Sequence, residues 1–333
     1  TLNGFETPWV YTIFGATNAF DKGYNEDRLD SFTLFDWRLD IPVFEKSTLS
    51  IGKQKEPIAG ERVQSMIFNH MQERSTVSDA LLPSRNVGIV LNGGHEPRYV
   101  TWAVGMFNDW IDSDRDFDDS ATQLIGRATW APLRTDDDSN LLHVALGYRY
   151  SDGKEGFRFF TEPEFNSAPN FVDSGFGTET GVLPADDIHT YNLELSWRRG
   201  PYWLASEYTR TDVSNASLGD PVFDGYWVAA SWTLTGEMRP YNPKSGTFRG
   251  VPVSQDVYQG GKGAWELSAR WSTLDLSDGL VDGGQVDVAS MGLTWWLTPI
   301  FSVSANYRYI WNDRLGVEGT SRGLNTRLLL LLE

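Results

Sequence analysis

The stretch AWELSARWS, residues 264–272, alternates strictly between apolar and polar side chains. One face of an extended segment here carries Trp265, Leu267, Ala269 and Trp271, and the opposite face carries Glu266, Ser268, Arg270 and Ser272. A repeat of two residues is the period of a β-strand, because successive side chains point to opposite sides of a sheet. The stretch therefore predicts a strand with one apolar face and one charged face.

The same alternation recurs along the whole chain and predicts about fourteen strands, whereas convincing helical spacing is rare. The predicted strands are residues 9–14, 31–40, 48–54, 87–91, 99–107, 123–131, 143–150, 191–198, 202–209, 226–234, 264–272, 290–297, 301–309 and 323–332. No composition shift marks a linker, so we expect one domain over residues 1–333.

The connections between these strands are of two kinds. Residues 199–201 and 298–300 are tight turns, and the long polar connections are residues 111–120, 151–188, 235–263 and 275–284. Short turns at one end and long loops at the other are typical of transmembrane β-barrels. A soluble β-sandwich or β-propeller is the alternative. Aromatic side chains at the strand ends and Arg and Glu on the polar face favour the membrane barrel, in which that face lines water.

Composition excludes several classes of protein. The 333 residues include no Cys and carry 45 acidic against 28 basic side chains, a formal charge of −17. The acidic balance argues against nucleic-acid binding, and the missing thiols exclude disulfides and thiolate metal sites. No signal peptide is visible at residues 1–4. The sequence shows no nucleophile elbow and no zinc-protease motif, so we expect neither an enzyme nor a bound metal or cofactor.

The face assigned to the lumen is slightly basic, although the chain is acidic. It carries seven arginines against five acids, and the acidic excess lies in loops such as residues 112–119. Guanidinium groups beside water attract and bind anions, which predicts an anion-attracting pore. The alternative is an Arg–Glu network that joins neighbouring strands. The predicted pore-lining arginines are Arg38, Arg127, Arg149, Arg198, Arg270, Arg308 and Arg327.

The strand pattern stops between residues 55 and 86, in a segment too long for a hairpin turn that still contains apolar residues. A long structured loop in a barrel is usually functional. We expect it to fold into the barrel and narrow it. An external lid or a contact between subunits is the alternative.

Several motifs resemble the phosphate-selective porin O/P family of outer-membrane proteins. They are Thr-Leu-Thr-Gly-Glu at 233–237, Gly-Ala-Trp-Glu-Leu at 263–267, residues 126–133, and Ile-Gly-Lys at 51–53 running into Glu-Arg at 61–62 and 73–74. The resemblance covers essentially the whole chain. It implies a sixteen-stranded barrel, usually a homotrimer, with an inward third loop and an arginine ladder leading to a lysine-lined anion site. The fourteen strands predicted here are two fewer than the sixteen of the family, so we expect two N-terminal strands to precede this sequence.

The resemblance also implies roles for individual residues. Arg62 stands where the family has a constriction lysine, Asp36 matches its acidic partner, and Arg127 matches a ladder arginine. Ile67 stands at a second family lysine, and Ile cannot replace the charge of Lys. We therefore expect a passive pore for small anions in the outer membrane of a Gram-negative bacterium, with phosphate as one candidate solute.

The predicted constriction set is Arg62, Lys53, Arg74, Asp36 and Arg38. Two alternatives stay open. One is a non-selective or weakly cation-preferring porin, because acids intersperse the wall. The other is a structural barrel with a plugged lumen.

Overall fold

The computed structural model describes residues 8–16, 33–108, 110, 119–166 and 168–331. The expectation for residues 1–4 and most of the acidic loop at 112–119 lie outside this part of the chain. The strands are β1 (Val10–Ala16), β2 (Thr33–Phe44), β3 (Ser47–Lys55), β4 (Arg85–His95), β5 (Val100–Asn108), β6 (Thr122–Arg134), β7 (Asn140–Ser151), β8 (Phe160–Thr161), β9 (Val172–Asp173), β10 (Asp187–Arg199), β11 (Tyr202–Ser214), β12 (Val222–Thr233), β13 (Tyr241–Asn242), β14 (Thr247–Phe248), β15 (Ala264–Asp278), β16 (Val281–Thr298), β17 (Phe301–Arg314) and β18 (Val317–Leu330).

Helical structure is confined to short pieces. Two α-helices, α1 (Gly60–Val63) and α2 (Thr76–Leu81), lie between β3 and β4. Single 3₁₀ turns occur at Met66–Phe68, Glu96–Arg98 and Val257–Gln259. Among the described residues, no helix is long and apolar enough to cross a membrane.

Fourteen strands form one antiparallel sheet in which each strand pairs with its neighbours in the sequence. The order is β1 to β7, then β10 to β12, then β15 to β18. The pairs β8–β9 and β13–β14 are separate two-stranded sheets. The fourteen strands predicted from alternation all correspond to strands of the large sheet, which confirms the predicted all-β class. Within the described residues no ladder joins β1 to β18.

The large sheet curves around the segment between β3 and β4. Glu61 of this segment forms an ion pair with Arg270 on β15. On the other side, the backbone N–H of Gln72 donates to Asn306 Oδ1 on β17 over 2.8 Å. Ile58 packs against Gly147 on β7. Contacts to strands so far apart in the sheet order require the sheet to curve into a closed barrel. The segment between β3 and β4 lies inside this barrel, and we call it the inward segment.

Alternation sorts the side chains of the barrel wall as predicted. On β15, Glu266 and Arg270 face inward and are 1% and 3% exposed, whereas Leu267 and Trp271 face outward and are each 38% exposed. Exposed aliphatic and aromatic side chains cover the outer surface of the other strands as well, which is the pattern of a lipid-facing wall.

Two connections differ from the sequence prediction. Residues 275–284 are not a long loop, because β15 runs to Asp278 and β16 starts at Val281. The buried side chains of Leu274, Leu276 and Val286 pack with phenylalanines of the β7–β10 connection. This packing stabilises the extension of β15 and β16 beyond the barrel wall.

The long connection between β12 and β15, residues 234–263, also lies at an unexpected place. Counting strand directions puts it at the end of the barrel that carries the tight turns 200–201 and 299–300. The prediction that all long connections share one end is therefore wrong. This connection turns back into the barrel, where the buried Tyr241 and Phe248 join an apolar cluster on the inner wall.

Candidate functional site

A cavity of about 820 Å³ occupies the part of the interior lined by β1 to β5. We call it the open cavity. Five cationic side chains line it, against two carboxylates. The cations are Arg38, Lys55, Arg85, Arg127 and Lys244, and the carboxylates are Asp36 and Asp40. This excess of basic side chains agrees with the basic lumen face expected from alternation.

Arg85 and Asp36 form one wall of the open cavity. The Arg85 Nε donates to Asp36 Oδ1 over 2.8 Å, and its guanidinium carbon lies 5.0 Å from the ring centre of Phe35. The ring of Phe14 stacks on Phe35 at 5.7 Å. Ring faces attract a guanidinium electrostatically. The aromatic pair therefore fixes the direction of Arg85, the first residue of β4.

Arg38 and Lys55 supply two further cations. Arg38 lies 3.0 Å from Asp40, and its side chain is 36% exposed to the cavity. Lys55, the last residue of β3, donates from Nζ to the carbonyl oxygens of Val63 and Gln64 over 3.2 and 2.8 Å. Lys55 thereby holds the start of the inward segment while it lines the open cavity. Asp36 and Arg38, two residues of the predicted constriction set, both line the open cavity.

Arg62 and Arg74 belong to the inward segment but do not line the open cavity. Arg62 is 6% exposed, forms an ion pair with Asp79 at 3.2 Å, and donates to the carbonyl oxygens of Ser78 and Leu82. Arg74 donates to the carbonyl oxygen of Glu61 and lines a second cavity of about 350 Å³ beside Asp79. Through its contacts with Ser78, Asp79 and Leu82, Arg62 stabilises the folded conformation of the inward segment.

Lys53 is not among the residues that line the open cavity. Lys53 pairs with Trp37 on β2 and with Val87 on β4, and these neighbours share the outer face with Ile51. Residues Ser50 and Gln54 of the same strand line the open cavity. Lys55, the last residue of this strand, also lines the cavity, so the placement of Lys53 at the constriction stays a prediction.

The remaining part of the interior is filled, and its arginines are paired with acids of the inward connections. Arg270 lies between Glu61 at 3.1 Å and Glu164 at 2.6 Å, and all three side chains are at most 5% exposed. Glu164 also accepts hydrogen bonds from Ser272 and Ser290. Arg270 is therefore neutralised and held, with no face left to an aqueous path.

Arg127 connects the two parts of the interior. Its Nε and Nη2 donate to the two carboxylate oxygens of Glu194 over 2.7 and 2.8 Å, and it also donates to the carbonyl oxygens of Ser245 and Gly246. His143 lies 3.3 Å from the same carboxylate. The arginine thus binds the connection between β12 and β15 to the wall while it borders the open cavity.

Within the described residues, three of the four other wall arginines also pair with a carboxylate, and Arg308 is the exception. Arg149 lies 2.8 Å from Glu56, Arg327 lies 2.8 Å from Glu73, and Arg198 lies 3.2 Å from Asp138. Arg308 is fully buried and donates to Asn325. The Arg–Glu network left open by the sequence is therefore present, but it joins the wall to inward connections more than it joins strand to strand.

Close approach of the inward segment depends on two glycines. A methyl group on Gly147 would overlap the backbone carbonyl of Ile58, and one on Gly60 would overlap the carboxylate of Glu194. Only a residue without a side chain fits at either position. The segment is therefore packed against β7 and β10 at backbone distance.

Burial changes the acid–base behaviour of two groups of the segment. Burial lowers the pKa of the His70 imidazole well below its usual range, and Arg270 and Arg239 act in the same direction. His70 is therefore neutral at pH 7. Burial raises the pKa of Glu73, while the neighbouring Arg327 and Arg308 lower it. The described residues contain no group of three or more His, Asp or Glu side chains able to hold a metal ion.

Sequence reasoning missed the acids Glu56, Glu61, Glu73 and Glu164, and the cation Arg239 that pairs with Glu266. None of them lies on a predicted strand, so the alternation of side chains did not predict whether they point into the barrel or out of it. Lys55 and Arg85 did carry a signal, because they flank the interruption of the strand pattern at both ends.

The family model of phosphate-selective porins O and P matches residues 5–329. The chain belongs to this family. Among similar curated proteins, Porin O of Pseudomonas aeruginosa is 24% identical over 233 residues, which cover 61% of this chain and 51% of Porin O. An uncharacterized protein of Caulobacter vibrioides is 28% identical over 237 residues, covering 67% of this chain and 45% of that protein. The chain spans about half the length of these relatives.

Two of the similar solved structures are an outer-membrane protein and a porin. OmpT of Vibrio cholerae has 13% sequence identity and a TM-score of 0.48, with 89% of this chain and 79% of that one covered. An anion-selective porin from Comamonas acidovorans has 12% identity and a TM-score of 0.48, with 88% and 74% covered. Membership of the porin O and P family places the chain in the outer membrane of a Gram-negative bacterium.

Proposed function

We propose that this protein is a passive porin that conducts small anions through the open cavity, and that it acts as a channel and not as an enzyme. The observation that carries the proposal is the excess of basic side chains that line that cavity, five against two carboxylates. Two of the five also have acidic partners outside the lining, since Arg127 pairs with Glu194 and Lys244 lies 3.7 Å from Glu96. A water-filled passage lined mainly by one sign of charge concentrates the opposite ion. Membership of a family described as phosphate-selective supports the same class of solute.

The proposed path passes between the inner wall of β1 to β5 and the inward segment. Lys55 and Arg85, at the two ends of that segment, line this passage together with Arg38, Asp36 and Asp40. In this proposal the segment at residues 55–86 is the constriction, as expected from sequence. The wall arginines of the filled part hold the constriction in place and do not form a conducting ladder.

We further propose that phosphate has no specific tight site in this passage. Arg62, at a family lysine position, is used inside the segment, and Ile67 at the other is apolar. A general anion pore follows from the remaining cations. The proposal includes a homotrimer in the lipid bilayer, on the basis of the family resemblance.

A planar-bilayer recording in a KCl gradient tests the proposal. We expect a reversal potential of the sign that reports chloride permeation, and little block of chloride current by added phosphate. A cation-selective sign would contradict anion conduction. Strong phosphate block would instead contradict the absence of a phosphate site.

A structural barrel with a plugged lumen is the second candidate. The filling of the β10 to β18 side by inward connections favours it, because Arg270, Glu61 and Glu164 leave no water-accessible route there. A folded, membrane-inserted protein that gives no conductance would support this candidate over the porin.

A further inference from the structure

A groove of about 490 Å³ lies at the rim of the barrel, on the end that carries the tight turns. We call it the rim groove. It runs between the β4–β5 turn and the end of β6, and Arg98, Tyr99, Trp130 and Arg134 line it. Short turns of outer-membrane barrels face the periplasm, so the groove lies at the periplasmic boundary of the membrane.

Two irregularities of the backbone build the rim groove. β6 bulges between Trp130 and Leu133, where three residues span the distance that two residues span on β7. Tyr99 has a φ of 51°, in the left-handed region, and ends the 3₁₀ turn Glu96–Arg98. Bulges at barrel rims redirect side chains, and they are specific features of a fold. Together they turn Arg134 and Arg98 toward one groove.

The side chains at the groove are held in place. The guanidinium carbon of Arg134 lies 4.2 Å from the ring centre of Tyr99, which is a close cation–π contact. Tyr99 also stacks on Tyr241 inside the barrel at 5.6 Å, with the ring planes 9° apart. The platform under Arg134 is therefore anchored to the interior and is not a mobile surface side chain.

The charge of the groove is positive in an otherwise acidic chain. Within the described residues, neither Arg98 nor Arg134 forms an ion pair with a carboxylate. The acidic residues close to them in the sequence either contact other residues or lie outside the groove. Glu96 lies 3.7 Å from Lys244, Asp138 lies 3.2 Å from Arg198, and Asp137 accepts a hydrogen bond from Ser139. Asp136 is exposed and does not line the groove.

The groove opens toward the lipid-facing surface. Trp130 is 51% exposed and Leu133 is 60% exposed on the outer wall beside the groove. Tryptophan at such a position lies at the level of the lipid headgroups. A ligand of the two guanidiniums can therefore keep its acyl chains in the bilayer against Trp130 and Leu133.

From this arrangement we propose that the rim groove binds the phosphodiester headgroup of an anionic phospholipid in the periplasmic leaflet. Guanidinium groups match phosphate oxygens in geometry and charge, and basic residues beside a membrane surface bind anionic headgroups. The site is separate from the open cavity and does not depend on the proposed conduction. Free phosphate shares the headgroup chemistry but lacks the acyl chains that the outer wall would hold.

Native mass spectrometry of the purified full chain in a neutral detergent tests the proposal. The probes are phosphatidylglycerol, phosphatidylcholine and inorganic phosphate, each added to the wild type and to the double variant Arg98→Gln/Arg134→Gln. We expect retention of phosphatidylglycerol over phosphatidylcholine, with about thirtyfold weaker retention in the variant, as two arginines at a membrane surface imply. An excess of inorganic phosphate should leave the retained lipid in place.

The matched control is Arg210→Gln/Arg322→Gln at the opposite end of the barrel. Arg322 also stacks on a tyrosine, at 5.2 Å from the ring of Tyr309, and both pairs of substitutions remove two positive charges. Equal loss of lipid in this control would overturn the proposal, because charge alone would then explain retention. Equal retention of both lipids, or displacement by inorganic phosphate, would also overturn it. The single variant Arg98→Gln should show a smaller loss, and an unchanged retention there would contradict a two-arginine site.

Discussion

In the part of the interior lined by β10 to β18, Arg270 lies between Glu61 and Glu164, out of contact with water. In the part lined by β1 to β5, Arg38 and Arg85 border a cavity of about 820 Å³. Both sets of arginines occupy inward positions of barrel strands. Only the second set faces space through which a solute could pass.

The comparison shows that an inward arginine has two possible uses in this barrel. Where a connection folds against the wall, its carboxylates reach the guanidinium and the pair fixes the connection. Where no connection reaches the wall, the guanidinium pairs with a carboxylate of its own wall and borders the lumen, as Arg38 does with Asp40 and Arg85 with Asp36. A buried charge needs a partner, because losing hydration costs several kcal/mol per ion.

The largest expected effect comes from breaking the filled part at Arg270. Arg270→Met leaves Glu61 and Glu164 buried without their common partner, which should lower the free energy of unfolding by about 3–5 kcal/mol. Urea unfolding in detergent, followed by heat-modifiable electrophoretic mobility, measures the change. The control Arg210→Met removes an exposed arginine that is paired with Asp212. A difference below about 1 kcal/mol between the two variants would contradict a supporting role for the buried triad.

A smaller effect is expected from pushing the inward segment off the wall. Gly147→Ala places a methyl group against the carbonyl of Ile58 and should cost about 1–3 kcal/mol of stability. Gly126→Ala on the adjacent strand is the matched control, because the nearest atom to its added methyl is 4.0 Å away. Both variants can be followed by the same unfolding measurement. Similar stabilities for the two variants would show that the segment does not pack on β7 at backbone distance.

The smallest expected effect concerns the open cavity and leaves stability unchanged. Arg38→Gln should lower the anion-to-cation permeability ratio by about fivefold, because a unit charge about 4 Å from an ion contributes ~1 kcal/mol in water. Lys53→Gln removes the same charge from a residue of the neighbouring strand that does not line the open cavity, and it should leave the ratio as in the wild type. Reversal potentials at low KCl, where screening is weak, measure both. Equal shifts in the two variants would contradict the assignment of faces on β2 and β3.

Much of this fold could be predicted from alternation alone. All fourteen strands of the large sheet were expected, because lipid on one side and a polar interior on the other impose a two-residue repeat on each strand. Inward arginines such as Arg127 and Arg270 were also placed on the correct face. The prediction for Lys53 rests on resemblance alone, and the residues of its strand that line the open cavity are Thr48, Ser50, Gln54 and Lys55.

The partners of the inward arginines could not be predicted. Glu61, Glu73 and Glu164 lie in connections without a periodic pattern, so the sequence gives them no direction. The end of the barrel from which residues 234–263 enter was also hidden. The length of this connection predicted that it lies at the same end of the barrel as the other long loops. The order of the strands in the sheet places it at the opposite end.

The sequence by itself determined that the chain is a β-barrel with a lipid-facing surface and a charged interior, because the period of side chains along a strand is a local property. Only the tertiary structure decided which interior charges face water. That outcome depends on where three non-periodic connections fold, and a carboxylate cancels a guanidinium only within a few ångströms. The rim groove was likewise decided by the tertiary structure alone. Arg98 and Arg134 line one groove because β6 bulges, and no repeat in the sequence predicts that bulge.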